Sequence, residues 1–387
     1  MVQLVKSVGE QINNISVGSY GTFIILKDGT ALANGYNKNG CLGAGERNSY
    51  LSGYSPVSVS NVNQITNCQE TTFFLQNDGT VHGIGRRDRG RLGSRVDKDI
   101  PNGIPIVITD FPEPIRKIKA GYHSDIALSV SGEVYCWGEN RFYALGVGSD
   151  NEQLTLCPTK LPFTRSVKDI ATTTETFVAV DESGQCYGWG RNENGELFGI
   201  QKTWIDTPRP IPYPAPIMKI EAAANKIVAL DIHGNVHVSG LFLRESVSQT
   251  LTLQSTIRDV RCGYQHVVML DEIGSVFMFG AGLCGCMGIQ SGRYHLESPV
   301  RVERVPKINR ILAGGHQSWL FGDHHVLVAG ENNNGELGLN AEFKRKGERD
   351  GTNGFISSFI PFEMNLRPAM EVNQQVGLLA ERNNAAS

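Results

Sequence analysis

The sequence lacks long apolar runs: no segment approaches the ~18 uncharged residues that a membrane-spanning helix needs. Its first residues, MVQLVKSVGEQ, carry no basic stretch leading into an apolar one. Export by a standard signal and membrane insertion are therefore not expected; a cytoplasmic location is, with the nucleus as the alternative. A surplus of positive charge is missing too. The 36 Lys and Arg stand against 39 Asp and Glu, a net charge of −3, which gives nucleic acid no general attraction. The eight cysteines are scattered, and Cys284 and Cys286 are separated by one residue instead of two. That spacing suits neither zinc nor a redox pair, so they read as reduced, small, buried residues. No Gly-rich phosphate loop ends in Lys-Ser or Lys-Thr, and neither H-E-x-x-H nor G-x-S-x-G occurs. With no catalytic motif to serve, no cofactor and no metal are expected.

Glycine, by contrast, is abundant at 44 of 387 residues, above the usual ~7%, and it is periodic. The segments ILKDGTALANG, LQNDGTVHGIG, LSVSGEVYCWG, AVDESGQCYGWG, ALDIHGNVHVSG and MLDEIGSVFMFG share an apolar run, a Gly turn, a strand and a closing Gly. The closing glycines Gly35, Gly85, Gly138, Gly190, Gly240, Gly280 and Gly330 are spaced by 50, 53, 52, 50, 40 and 50 residues. Seven units with a period near 50 indicate a propeller or another repeat array.

Each unit reads as a hairpin. Apolar residues such as Phe23 and Ile25, or Val268 and Leu270, precede a turn whose Gly supplies a positive φ, and a strand such as Val134 to Trp137 returns. His324 replaces the turn Gly in the seventh unit and, with His325, reads as a turn and not as a metal site. Upstream, Ile-x-x-Ile (Ile12 and Ile15, Ile115 and Ile118, Ile217 and Ile220, Ile308 and Ile311) adds a strand on the hub side. Downstream, a loop closes on Leu-Gly (Leu42, Leu92, Leu145, Leu337), and a Pro-containing strand finishes most units. No such unit buries both faces alone, so neighbours must stack around a ring that protects the strand edges. The interval from Gly240 to Gly280 is shorter and lacks the Leu-Gly loop, which predicts a trimmed rim on blade five.

The residues GYHSDIALSVSGEVYCWGEN (121–140) and GENNNGELGL (330–339) resemble the repeat core of the regulator-of-chromosome-condensation family, and the resemblance runs over roughly 10–340. It implies an all-β, seven-bladed β-propeller, and it leaves function open, because function lives in sites grafted on a fold. Members of that family include Ran exchange factors, chromatin-binding proteins, ultraviolet photoreceptors and scaffolds. The photoreceptors use clustered tryptophans, whereas this chain has only Trp137, Trp189, Trp204 and Trp319. Exchange factors are implied to carry Asp and His just after the repeat's first Gly, and to insert a β-wedge. Here those turns contain Tyr20, Glu70, Tyr122-His123, Glu175 and Tyr264 without an aspartate, and the stretch from Val147 to Pro158 is of ordinary length.

The expected partner-binding residues are those of the turns on one ring face: Tyr20, Glu70, Tyr122, His123, Glu175, Tyr264, His266 and His316. Aromatic, His and carboxylate side chains suit a protein interface, although His266 and His316 also fit structural bonding between blades. Arg86, Arg87, Arg89 and Arg91 form the densest cationic stretch, a candidate contact for phosphate or an acidic partner surface against the alternative of a solvated loop. The mixed-charge segment from Lys344 to Arg349 reads as a loop.

The reading is a propeller over 1–366, with blades near 12–61, 62–114, 115–166, 167–216, 217–256, 257–307 and 308–366, and a tail over 367–387. Val2 to Val5 and Phe359 to Phe362 both look like outer strands, one of which is expected to close the ring by joining a blade from the other terminus. The expected function is a non-enzymatic interaction module: a monomeric propeller working within a complex, with a protein partner and neither nucleic acid nor membrane. The alternative is a guanine-nucleotide exchange factor for a Ran-like small GTPase.

Overall fold

The computed structural model describes residues 12–18, 21–45, 50–94, 102–148, 154–289, 295–332, 337 and 355–362. Within them, 28 strands form seven four-stranded antiparallel sheets, each made of four strands consecutive in the chain. The third is representative: Ile115–Ala120, Ser124–Ser129, Val134–Glu139 and Leu154–Lys160 run from hub to rim. The architecture is the seven-bladed propeller that the glycine period predicts.

The inner strands of the blades are Ile12–Val17, Val62–Cys68, Ile115–Ala120, Val167–Thr172, Ile217–Ala223, Ile257–Cys262 and Arg310–Gly314. Their Ile-x-x-Ile residues point into the seams between blades: Ile118, Ile170 and Ile220 are fully buried. The second strands are buried on both faces, Ser124–Ser129 at every position. A second strand lies between two neighbouring sheets, so both of its sides meet protein.

The closing glycines have a steric cause. Gly85 and Gly138 sit at φ of +105° and +101°, and a Cβ there would run into the carbonyl of Glu70 or of His123. The third strand is thus pressed against the turn that follows the inner strand, and only Gly tolerates both the dihedral and the approach. In four of the Leu-Gly loops the Leu is anchored from five residues upstream. The side-chain carbonyls of Asn37, Asn140, Asn192 and Asn332 accept the N–H groups of Leu42, Leu145, Leu197 and Leu337 at 2.7–3.1 Å. Leu197 therefore fills the usual place even though Phe198 separates it from Gly199.

The fifth blade is trimmed, as expected: Val236–Phe242 passes to Glu245–Leu251 through Leu243 and Arg244 alone. Ring closure differs from expectation. Phe355–Pro361 is the outer strand of the seventh blade, paired with Val326–Glu331 of the same sheet, and among the described residues no strand is exchanged between termini. The first and seventh blades instead share one core, in which Ile15, Ile24 and Tyr54 pack with Trp319, Val328 and Leu337. Arg310 donates to the carbonyl of Asn13 across this seam at 2.7 Å. Val2 to Val5, Lys344 to Arg349 and the tail lie outside the described residues.

Among the described residues, no helix is long and apolar enough to cross a membrane. His324 and His325 lie in the last hairpin turn. The eight cysteines are free thiols, with Cys286 buried and Cys284 only partly so.

Candidate functional site

Register decides which loops share an end of the ring. In the third blade Asp125 pairs with Ala120 and Ser124 with Gly138. The turn at 121–123 therefore stands beside Glu139 and the loop that follows it. The described candidate turn residues and the arginine stretch, which the sequence offers as two separate features, occupy one end of the ring.

That end is held by backbone bonds from turn to turn. The Tyr122 N–H donates to the Thr174 carbonyl at 3.0 Å, that of Thr174 to Ala224 at 2.9 Å, and that of Tyr264 to Gly315 at 2.7 Å. Such bonds satisfy turn donors while fixing the side chains between them.

At the seam of blades two and three, Arg91 is buried and donates to Nδ1 of His123 at 3.2 Å. Its guanidinium lies 5.9 Å from the ring of Tyr122, which in turn packs edge-on at 4.4 Å against His123. Burial pushes the His123 imidazole below its ordinary range; Glu139 opposes this, and Arg91, Arg141 and Arg89 reinforce it. A neutral ring accepting from Arg91 is the consistent state. Arg89 reaches the carboxylate of Glu139 at 2.9 Å. Arg86 pairs with Asp88 at 2.6 Å, and Arg87 donates to the carbonyl of Ile104 at 3.0 Å.

The pattern repeats one blade on. Glu175 is buried beneath Arg191 at 3.1 Å and Arg141 at 3.8 Å, and Phe142 lies between these two guanidiniums, 4.9 and 5.1 Å from them. One blade back, Glu70 holds Lys38 at 2.8 Å and Asn39 at 2.7 Å. In three of these pairs the carboxylate is submerged and the cation faces solvent: Lys38 is 55% exposed over Glu70 at 14%, Arg89 55% over Glu139 at 20%, and Arg141 52% over Glu175 at 9%. The carboxylates aim the cations, and the surface offered to a partner is positive and aromatic.

The remaining candidates divide. Tyr264 and His316 meet edge-to-face at 5.4 Å beside the mouth of the central channel, and burial lowers the pKa of His316. His266 leaves the set. It is fully buried, its Nε2 lies 2.8 Å from the Ser318 hydroxyl in the next blade, and burial drives its pKa down to about 3. It stitches blades and cannot touch a partner. Tyr20 lies outside the described residues.

Sequence reasoning missed Phe142, Arg141 and Glu139. A signal was present: Asn39, Arg89, Phe142 and Cys284 each stand four residues after a closing Gly, and all four take positive φ, from +53° to +60°. This left-handed residue is the knob of the loop, and it projects over the next blade. Among the described residues, no group of three or more His, Cys, Asp or Glu is arranged to hold a metal ion. Three tryptophans are buried in separate blades, and only Trp204 is exposed.

The sequence profile of the regulator of chromosome condensation (RCC1) repeat matches residues 131–180. The Arabidopsis thaliana Ultraviolet-B receptor UVR8 is 26% identical over 193 residues, covering 49% of this chain and 43% of the receptor. The mouse RCC1-like G exchanging factor-like protein is 24% identical over 236 residues, covering 54% and 51% respectively. The chain thus spans about half or less of the length of these curated relatives. Among solved structures, Prp20p of Saccharomyces cerevisiae, described with its binding properties to Gsp1p and histones, superposes with a TM-score of 0.72 at 17% identity, over 97% of this chain and 98% of that one. With its glycine-punctuated repeat, its seven blades and the profile match over 131–180, the chain carries the regulator-of-chromosome-condensation repeat and folds as a seven-bladed β-propeller of that type.

Proposed function

We propose that the chain is a protein-docking module that binds its partner on the loop end of the ring, over the seams of blades one to four, and performs no covalent chemistry. The observation that carries this is the pairing of the solvent-facing Lys38, Arg89 and Arg141 with submerged carboxylates, around the aromatic rings of Tyr122 and Phe142. Arginines and aromatics held rigid before binding are the residues in which interface energy concentrates. Soluble lysate is passed over the immobilised chain and bound proteins are quantified. The partner captured by the parent chain is expected to be lost with Phe142→Ala and Arg141→Ala, and retained with Ile273→Ser on the opposite, hairpin end. Equal capture by all variants refutes the assignment of the face.

A second reading is nucleotide exchange on a Ran-like small GTPase, favoured by the similarity to the mouse exchange-factor-like protein. It predicts faster release of labelled GDP from the GTPase, abolished by His123→Ala or Glu175→Ala. Unchanged release alongside stable partner capture leaves docking as the function.

A further inference from the structure

The inner strands enclose a central channel of about 750 Å³, within the size range of small-molecule sites. Its charged lining is lopsided: Arg116, Lys117, Lys119 and Arg261 face it, against the single carboxylate of Glu221. The residues flanking each buried inner-strand isoleucine place these groups. Lys117 and Lys119 flank Ile118, and Glu221 follows Ile220.

Compensation around the channel is uneven. Lys117 has Asp169 of the next blade as an ion-pair partner. Arg261 is held by Glu221 at 2.7 Å and lies 3.7 Å from Asp259. Arg116 donates to the carbonyls of Ser129 and Val167, which satisfy its N–H groups and leave its charge unbalanced. Lys119 spans the fourth blade, where the small Ala171 stands, and comes no closer than 3.7 Å to the Glu221 carboxylate that Arg261 already occupies. Burial pulls the Lys119 ammonium below its ordinary value against the pull of Glu221, as expected of a cation short of counter-charge. Asn14, Gln64, Thr66 and Asn67 of the first two blades complete the wall with neutral polar groups.

We propose that the channel is a binding site for a small phosphate-bearing anion, with Lys119 and Arg261 as the principal contacts and Lys117 beside them. A phosphate dianion supplies the missing counter-charge and three acceptor oxygens for donors converging from two sides of the channel. The volume also accommodates the remainder of a small phosphate ester. Tyr122 borders both the channel mouth and the loop-end docking face, but the cations proposed here lie on the inner strands and are not those of that face.

Isothermal titration calorimetry on the full chain tests it, with inorganic phosphate and glucose 6-phosphate as probes and potassium chloride at matched ionic strength as control. Saturable binding of phosphate, absent with chloride, is expected. Tighter binding of glucose 6-phosphate assigns the site to an ester, and equal binding assigns it to the free ion. Lys119→Met is expected to weaken binding by about 10- to 100-fold, the effect of losing one charge-assisted contact. Lys119→Arg is expected to retain it, and Arg89→Ser on the loop end to leave it unchanged. Absence of saturable binding by the folded parent chain, or undiminished binding by a folded Lys119→Met variant, overturns the proposal.

Discussion

The indole N–H of Trp137, buried in the third blade, donates at 3.0 Å to the backbone carbonyl of Arg91 in the second. The same bond recurs one blade on, from Trp189 to Ala144, also at 3.0 Å. The blade core of one repeat thereby fixes the loop of the previous one, and at Arg91 that loop carries the guanidinium against His123 and Tyr122. Packing between blades and the geometry of the candidate face are one problem.

The glycine of the Leu-Gly loop is part of this contact. Gly93 has φ of +62°, and a Cβ there would stand 2.8 Å from Nε1 of Trp137. Gly93→Ala is therefore expected to cost about 1–3 kcal/mol, through dihedral strain and displacement of the indole. Trp137→Phe leaves the Arg91 carbonyl buried without its donor, and it is expected to cost a similar ~1–3 kcal/mol. Urea unfolding midpoints measure both, and a Gly93→Ala midpoint equal to the parent's contradicts the packing argument.

In the channel wall, burial alone would raise the carboxyl of Glu221, but Lys119, Arg261 and Lys219 outweigh it and hold the group well below the usual carboxylate range. A depressed folded value means that the contribution is present above the unfolded value near 4.5 and is lost as pH falls below it. Glu221→Gln leaves several cations facing one another, and it is expected to cost about 3 kcal/mol or more at pH 7. The gap from the parent should narrow as the pH falls below 4.5. A gap constant from pH 7 to pH 3 in chemical denaturation would show that the charge of Glu221 is not what matters.

His266 gives the complementary acid response. Burial first, then Lys226 and His316, push its folded value down to about 3, from an ordinary 6.5. Between those values the unfolded chain binds a proton that the folded chain refuses. Stability from this residue is complete above 6.5 and is lost as pH falls toward 3, by about 1.4 kcal/mol per pH unit. His266→Gln is expected to flatten that slope while keeping a hydrogen bond to Ser318. Unfolding free energies measured at half-unit steps from pH 7 to pH 4 should separate the two curves, and parallel curves would remove His266 as the source.

The ring was legible in the sequence because its constraints are local. Closing glycines such as Gly138 answer to a turn carbonyl fifteen residues upstream in the same blade, so the requirement recurs with the repeat. The candidate face was legible only in outline. Tyr122 and Arg91 were both visible, but the Arg91–His123 contact joins different blades, and Phe142 acquires meaning only with Arg191 of the fourth blade beside it. The burial of His266 was hidden for the same reason: its partner Ser318 is 52 residues away. The mode of closure was misjudged because an apolar, Pro-containing strand such as Phe359 to Phe362 reads alike whether it completes its own blade or another.

The loop-end cations should separate stability from binding. Arg89 and Arg141 are more than half exposed, so their ion pairs are screened and each is worth at most about 1 kcal/mol to folding. Phe142 adds a strained positive φ of +53°, which the fold maintains with two stacked guanidiniums and not with core burial. Arg141→Ala and Phe142→Ala are therefore expected to shift unfolding midpoints little, while weakening capture of the partner by about 2 kcal/mol or more, as central interface residues do. Charge also sets the sign of a third variant. Arg89→Glu places a second carboxylate against Glu139, so it should slow association and reduce the salt dependence of the rate. Surface plasmon resonance with the captured partner at two ionic strengths reads both effects. An association rate unaltered by Arg89→Glu, or a loss of affinity that merely tracks lost stability, would place the binding surface elsewhere on the ring.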